Sequence, residues 1–160
     1  MKKGILILIV GLLVLSVIMA PAMAKTAATK EPISFTIENM TAIPSGKIWL
    51  TNDNILQVKN VKQVGTVSGY FDGTMEVVFS QAINMTSGEG SGHGKFVIIT
   101  DDGSIGGTFR IENWGPTFSS GTFVGTDSTG IYEGKKIMGS LESTMPSVAS
   151  FEGIILSPRP

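Results

Sequence analysis

Cysteine is absent from this 160-residue chain and histidine occurs once. Disulfide staples are therefore excluded, and so are structural zinc centres built from thiolates and imidazoles. Basic clusters are missing as well: after Lys2-Lys3 the only adjacent basic pair is Lys135-Lys136. No positive stripe is available to neutralise a phosphate backbone, so nucleic acid is not an expected partner. The Gly-x-Ser-x-Gly elbow of serine hydrolases is lacking. The glycine-rich stretch 88–94 is no phosphate cradle either, because Lys95 is followed by Phe96 rather than Ser or Thr. Asn52-Asp53-Asn54 and Asp101-Asp102 gather two or three oxygens without the spaced pattern and distal Glu of a calcium loop, and read as turns. No metal or cofactor is expected.

Apolar helix formers are also scarce. Beyond residue 24 only five Ala and four Leu remain, against nine Val, fourteen Ile, eight Phe and fifteen Thr, residues that pack well on a pleated surface. Eighteen glycines lie in the same stretch, and each would cost a helix on the order of 1 kcal/mol relative to alanine. No segment there sustains apolar residues at i, i+3, i+4 and i+7.

The first residues are of another kind. Met1-Lys2-Lys3 precedes an uncharged apolar run from Gly4 to Ala20, then Pro21-Ala22-Met23-Ala24 and Lys25. A basic start, an apolar stretch and an A-x-A site in that order predict a signal-peptide helix over 1–24, cleaved between Ala24 and Lys25. The alternative is an uncleaved anchor, for which about seventeen apolar residues is at the short edge. Cleavage would leave 136 residues carrying ten Lys and Arg against thirteen Asp and Glu, a length that suits one domain with a single core. Membrane contact is then expected only through the leader, and the location is secreted or extracytoplasmic.

Period-two alternation runs through the remainder. Ile105, Phe109 and Ile111 share one face while Thr108, Arg110 and Glu112 share the other; Phe35/Ile37 and Met75/Val77/Phe79 repeat the pattern. Phe96-Val97-Ile98-Ile99 is uniformly apolar and predicts a strand covered on both faces. Asp72-Gly73, Asp101-Asp102-Gly103 and Asn52-Asp53-Asn54 supply turns between such runs. Strands are expected at about 33–38, 47–51, 55–62, 65–71, 74–80, 95–100, 104–112, 119–125, 131–142 and 150–156. Residues 25–32 read as a flexible lead-in and 85–94 as a mobile Gly/Ser-rich loop. The domain over 33–157 is thus all-β, a single antiparallel barrel of about eight to ten strands, with a β-sandwich as the alternative. Glycines at even spacing, Gly65, Gly69 and Gly73 and then Gly121 and Gly125, favour closure, because each set lies on one face where a barrel bends or backbones approach.

The run Gly121-Thr122-Phe123-Val124-Gly125-Thr126-Asp127-Ser128-Thr129-Gly130-Ile131-Tyr132-Glu133-Gly134, followed by Gly139 and by Phe151-Glu152-Gly153-Ile154, resembles the last strands of allene-oxide-cyclase-like and dirigent-like barrels. The likeness covers the C-terminal third. It implies a calycin-type shape, eight antiparallel strands around an apolar cavity, often assembled as trimers. No catalytic residue of the family maps onto the matched stretch, so what it implies is the fold and not cyclase activity.

The functional expectation is an exported, non-catalytic barrel that binds a small apolar ligand or a protein partner, with homo-oligomer formation open. Phe71, Phe79, Phe96, Phe109, Phe123 and Phe151 are bulky enough to fill the interior that a ligand would need. One alternative is an isomerase- or cyclase-like enzyme acting on an apolar substrate in the barrel, with Glu112, Trp114, Tyr132 and Glu133 as polar groups at its mouth. Another is an envelope or surface interaction protein. His93, the one side chain with an ordinary pKa near neutrality, reads as a solvent-facing loop residue with general-base chemistry as its alternative. Asn39-Met40-Thr41 and Asn84-Met85-Thr86 are glycosylation sequons.

Overall fold

The computed structural model describes residues 28–115, 118–144 and 148–158. Nine strands follow one another in it: β1 (Thr29–Ile43), β2 (Lys47–Leu50), β3 (Ile55–Gly69), β4 (Gly73–Asn84), β5 (Gly90–Thr100), β6 (Gly103–Trp114), β7 (Phe118–Gly130), β8 (Lys136–Thr144) and β9 (Val148–Ser157). All neighbours are antiparallel, and sequential hairpins carry the sheet from β3 to β9. β1 then pairs with β9 along one edge and with β3 along the other, which closes eight strands into a barrel. Closure rules out the sandwich alternative. β2 is the one extra strand, added to β3 beyond the point where β1 leaves it.

Alternation decides which side chains face inward. Phe35, Phe71, Phe96, Phe123 and Phe151 are all buried and touch one another along the axis. Phe35 stacks on Phe151 with ring centroids 4.7 Å apart and meets Phe71 edge-on at 5.2 Å. Ile37, Val67, Met75, Ile98, Ile105, Ile137 and Ile155 complete the core. Phe79 and Phe109 pack against it while half-buried.

So much ring volume fits inside eight strands because the inner wall sets glycine opposite bulk. Phe123 faces Gly139, Phe96 faces Gly107, Phe35 faces Gly69, Ile111 faces Gly121 and Ile137 faces Gly125. A Cβ on Gly94 would lie 2.6 Å from the Phe109 ring, and one on Gly121 would run into the Arg110 carbonyl. Close approach, rather than a sharp bend, is therefore what these inward glycines provide.

Several expectations are corrected. Residues 29–32 are strand and not lead-in, because Thr29 through Pro32 pair with Ser157 through Ile154. The 85–94 loop shrinks to 85–89, since 90–94 pair with β4 as part of β5. Residues 131–135 form a turn, so β7 extends to Gly130 and the next strand begins only at Lys136. The strand at 95–100 is covered on one face alone: Phe96 and Ile98 are buried, whereas Val97 and Ile99 are exposed on the outer wall. Asn113 and Trp114 end β6 instead of opening an irregular stretch. The leader and its Ala24/Lys25 junction lie outside the described residues.

Candidate functional site

The four residues proposed for a barrel mouth do not meet. Strand direction puts Glu112 and Trp114 at the end of the barrel where β6 finishes, and Tyr132 and Glu133 in the turn at the opposite end. Glu112 and Glu133 are exposed, Trp114 is half-buried against the core, and Tyr132 is buried with its ring edge-on to Phe71. Lys135 lies 5.6 Å from the Tyr132 ring centroid, a cation–π contact at the surface of that plug. Beside it, the Tyr70 hydroxyl donates to Glu31 Oε2 at 3.3 Å. Burial, then the Glu31 carboxylate and the hydrogen bond to it, and last Tyr132, push the Tyr70 hydroxyl above its ordinary value. This cluster seals one end of the barrel and holds β1 to the β3–β4 turn.

A concavity lies outside the barrel, where β2 joins it. The chain reaches it through a kink at Pro44-Ser45-Gly46. Gly46 sits at φ +70° against the Lys59 and Asn60 carbonyls, a position that a side chain could not occupy. Ser45 Oγ accepts the Lys62 N–H at 2.8 Å and pins the kink to β3. Facing it, β3 carries a bulge at Lys59-Asn60, between the pairs Val58↔Gln81 and Val61↔Phe79, with Asn60 at φ +54°. The Asn60 N–H donates to Ser80 Oγ at 3.1 Å. A bulge re-aims its side chains, and here Lys59 is turned over the outer face.

The hairpin tip is held from two sides. Thr51 accepts the Asn54 N–H on its carbonyl and the Ile55 N–H on its hydroxyl, both at 3.1 Å. Asn54 then reaches the 85–89 turn: its carbonyl accepts the Met85 N–H at 2.9 Å and its Nδ2 donates to Thr86 Oγ1 at 2.9 Å. Asn84 Oδ1 accepts the Thr86 and Ser87 N–H groups, so the sequon at Asn84 is engaged in its own turn. Asn39, in the β1 bulge at φ +56°, is exposed.

Between these supports runs a groove of about 290 Å³. Trp49, Gln57, Lys59, Ser80, Ala82, Ser91 and His93 line it. Trp49 is 43 % exposed, and its neighbours Ile48 and Leu50 reach 64 % and 57 % on a strand paired along one edge only. His93 belongs here as an exposed residue of β5, not of a loop. Register places Arg110 directly opposite His93 and Lys47 directly opposite Lys59. No carboxylate is among the lining residues. Sequence reasoning overlooked Trp49 and Lys59 because neither sits in a motif; the apolar strand 47–51 beside a lysine pair was the only signal. Neither the protein-family models nor the curated proteins contain a match to this chain.

Proposed function

We propose that this chain is an exported, non-catalytic β-barrel that acts by binding, and that it binds on its outer face rather than within its axis. The aromatic packing carries this reading. An eight-stranded barrel has room for its own side chains or for one small ligand, and five phenylalanines joined by a chain of ring contacts occupy that room. Export through the 1–24 leader and cleavage between Ala24 and Lys25 place the barrel outside the cytoplasm. A distant kinship with allene-oxide-cyclase-like barrels fits the closed eight-stranded shape. The cyclase-like alternative needs Glu112, Trp114, Tyr132 and Glu133 around one substrate, and their division between opposite ends favours binding over catalysis. Titration with a fluorescent hydrophobic-cavity dye is the test: no saturable uptake and no rise in melting temperature are expected. Saturable uptake with a raised melting point would overturn the outer-face reading.

A further inference from the structure

The groove beside β2 combines features that each narrow its ligand. One wall is an indole, 43 % exposed, which offers an apolar ring face. Gln57 and Ser91 present an amide and a hydroxyl, groups suited to a ligand rich in hydroxyls. Ser80 Oγ is already an acceptor for the Asn60 N–H, so its hydroxyl hydrogen is the part left to donate into the groove. The charge is one-sided. Lys59 and His93 line the groove, Lys47 and Arg110 stand opposite them on neighbouring strands, and the lining includes no carboxylate.

Directly opposed like charges weaken a strand pair. Lys47 and Lys59 form such a pair, and among the described residues neither makes an ion pair; Lys62–Glu76, at 2.7 Å, is the salt bridge found there. An anion seated between them would relieve the repulsion. The nearest acidic groups by register are Glu89, two residues before Ser91 and bonded through its carbonyl to the Asn84 N–H, Asp53 in the hairpin turn and Glu112 on the β6 bulge opposite Ser91. At about 290 Å³ the groove falls at the lower edge of ligand pockets, which span roughly 300–1,000 Å³. The chain beyond residue 24 has an excess of acidic residues, so a long polyanion would be repelled elsewhere on the surface.

Resting on the outer-face reading, we infer that this groove binds a short acidic saccharide, one sugar ring lying on Trp49 with its carboxylate held by Lys59, between Lys47 on one side and His93 on the other. Ring stacking and hydroxyl recognition set the class, and the lysine pair selects the uronate over a neutral sugar. Titration of the isotopically labelled protein with trigalacturonate, followed by amide and indole nuclear magnetic resonance, tests it. Shifts are expected at the Trp49 indole N–H and at Gln57, Ser80 and His93. Trp49→Phe is expected to weaken binding several-fold, and Trp49→Ala and Lys59→Gln at least tenfold each, with unchanged melting temperature. Maltotriose is expected to bind at least tenfold more weakly, and salt to weaken the acidic sugar alone. Absence of shifts at the groove, equal binding of maltotriose, or equal shifts with inorganic phosphate would overturn the saccharide assignment and leave outer-face binding standing. Shifts centred on the interior phenylalanines would instead sink the outer-face reading itself.

Discussion

At the scale of single residues, the barrel is a problem of volume solved in pairs. Phe109 has Phe123 on one neighbouring strand and Gly94 on the other, and its ring lies over the small residue. Where the wall ends, volume gives way to polarity, and Tyr70 carries the consequence. Its raised pKa means that the fold holds the neutral hydroxyl, chiefly through burial and then through Glu31. Below the ordinary value of about 10, folded and unfolded chains both keep the proton and the contribution of Tyr70 is fully present. Above it the unfolded chain ionises first, the folded state binds more protons, and stability falls as pH rises toward the folded pKa. Tyr70→Phe removes this loss. Thermal melts between about pH 9 and about pH 11 should therefore show a shallower decline for Tyr70→Phe than for the parent. Equal declines would mean that Tyr70 is not held neutral by its surroundings.

At the scale of elements, β2 differs from the rest because one backbone turn decides whether it exists. Gly46 adopts a left-handed conformation that costs other residues about 1–2 kcal/mol, before any collision with the Lys59 carbonyl. Gly46→Ala should release β2 and leave the barrel in place. Amide exchange at Lys47–Leu50 is expected to accelerate at least tenfold while Ile98 and Phe123 keep their protection. Acceleration at all of them together would show that β2 and the barrel unfold as one unit. The sequence made the barrel readable through strands such as β4, where Met75, Val77 and Phe79 fall on one face, Glu76 and Ser80 fall on the other, and Asp72-Gly73 marks the turn. It concealed the first half of β5, because Gly90, Gly92 and Gly94 look like a loop; Phe109, a strand away, fills the space over Gly94. It also concealed the outer face. Val97 and Ile99 follow the apolar pattern of a buried strand yet are exposed, and the pairing of Lys47 with Lys59 depends on the register of the β2–β3 hairpin, which no local pattern announces. The groove was unreadable for the same reason, since its residues come from four strands and meet only through register.

At the scale of the whole molecule, closure depends on the two most distant segments of the described chain. β1 and β9 pair from Thr29↔Ser157 to Ile37↔Ala149, and no hairpin brings them together. Every other barrel seam from β3 to β9 forms from neighbours in sequence, and β1 meets β3 across the β2 excursion. The entropy of closing the long loop therefore falls on one seam, and a fold of this topology is expected to assemble slowly for that reason. A circular permutant tests the idea. Residue 158 joined to residue 28 by a short glycine-rich linker turns β9–β1 into a hairpin, and new termini between the exposed Asn52 and Asp53 leave all eight barrel strands uncut. The permutant should melt cooperatively within about 5 °C of the parent, a shift on the order of 1 kcal/mol for a domain of this size. It should also refold at about the parental rate, because the cut moves the single long-range closure from β9–β1 to β1–β3 without abolishing it. Refolding many-fold faster than the parent would show that the β9–β1 seam itself, and not a single long-range closure wherever it falls, limits the rate.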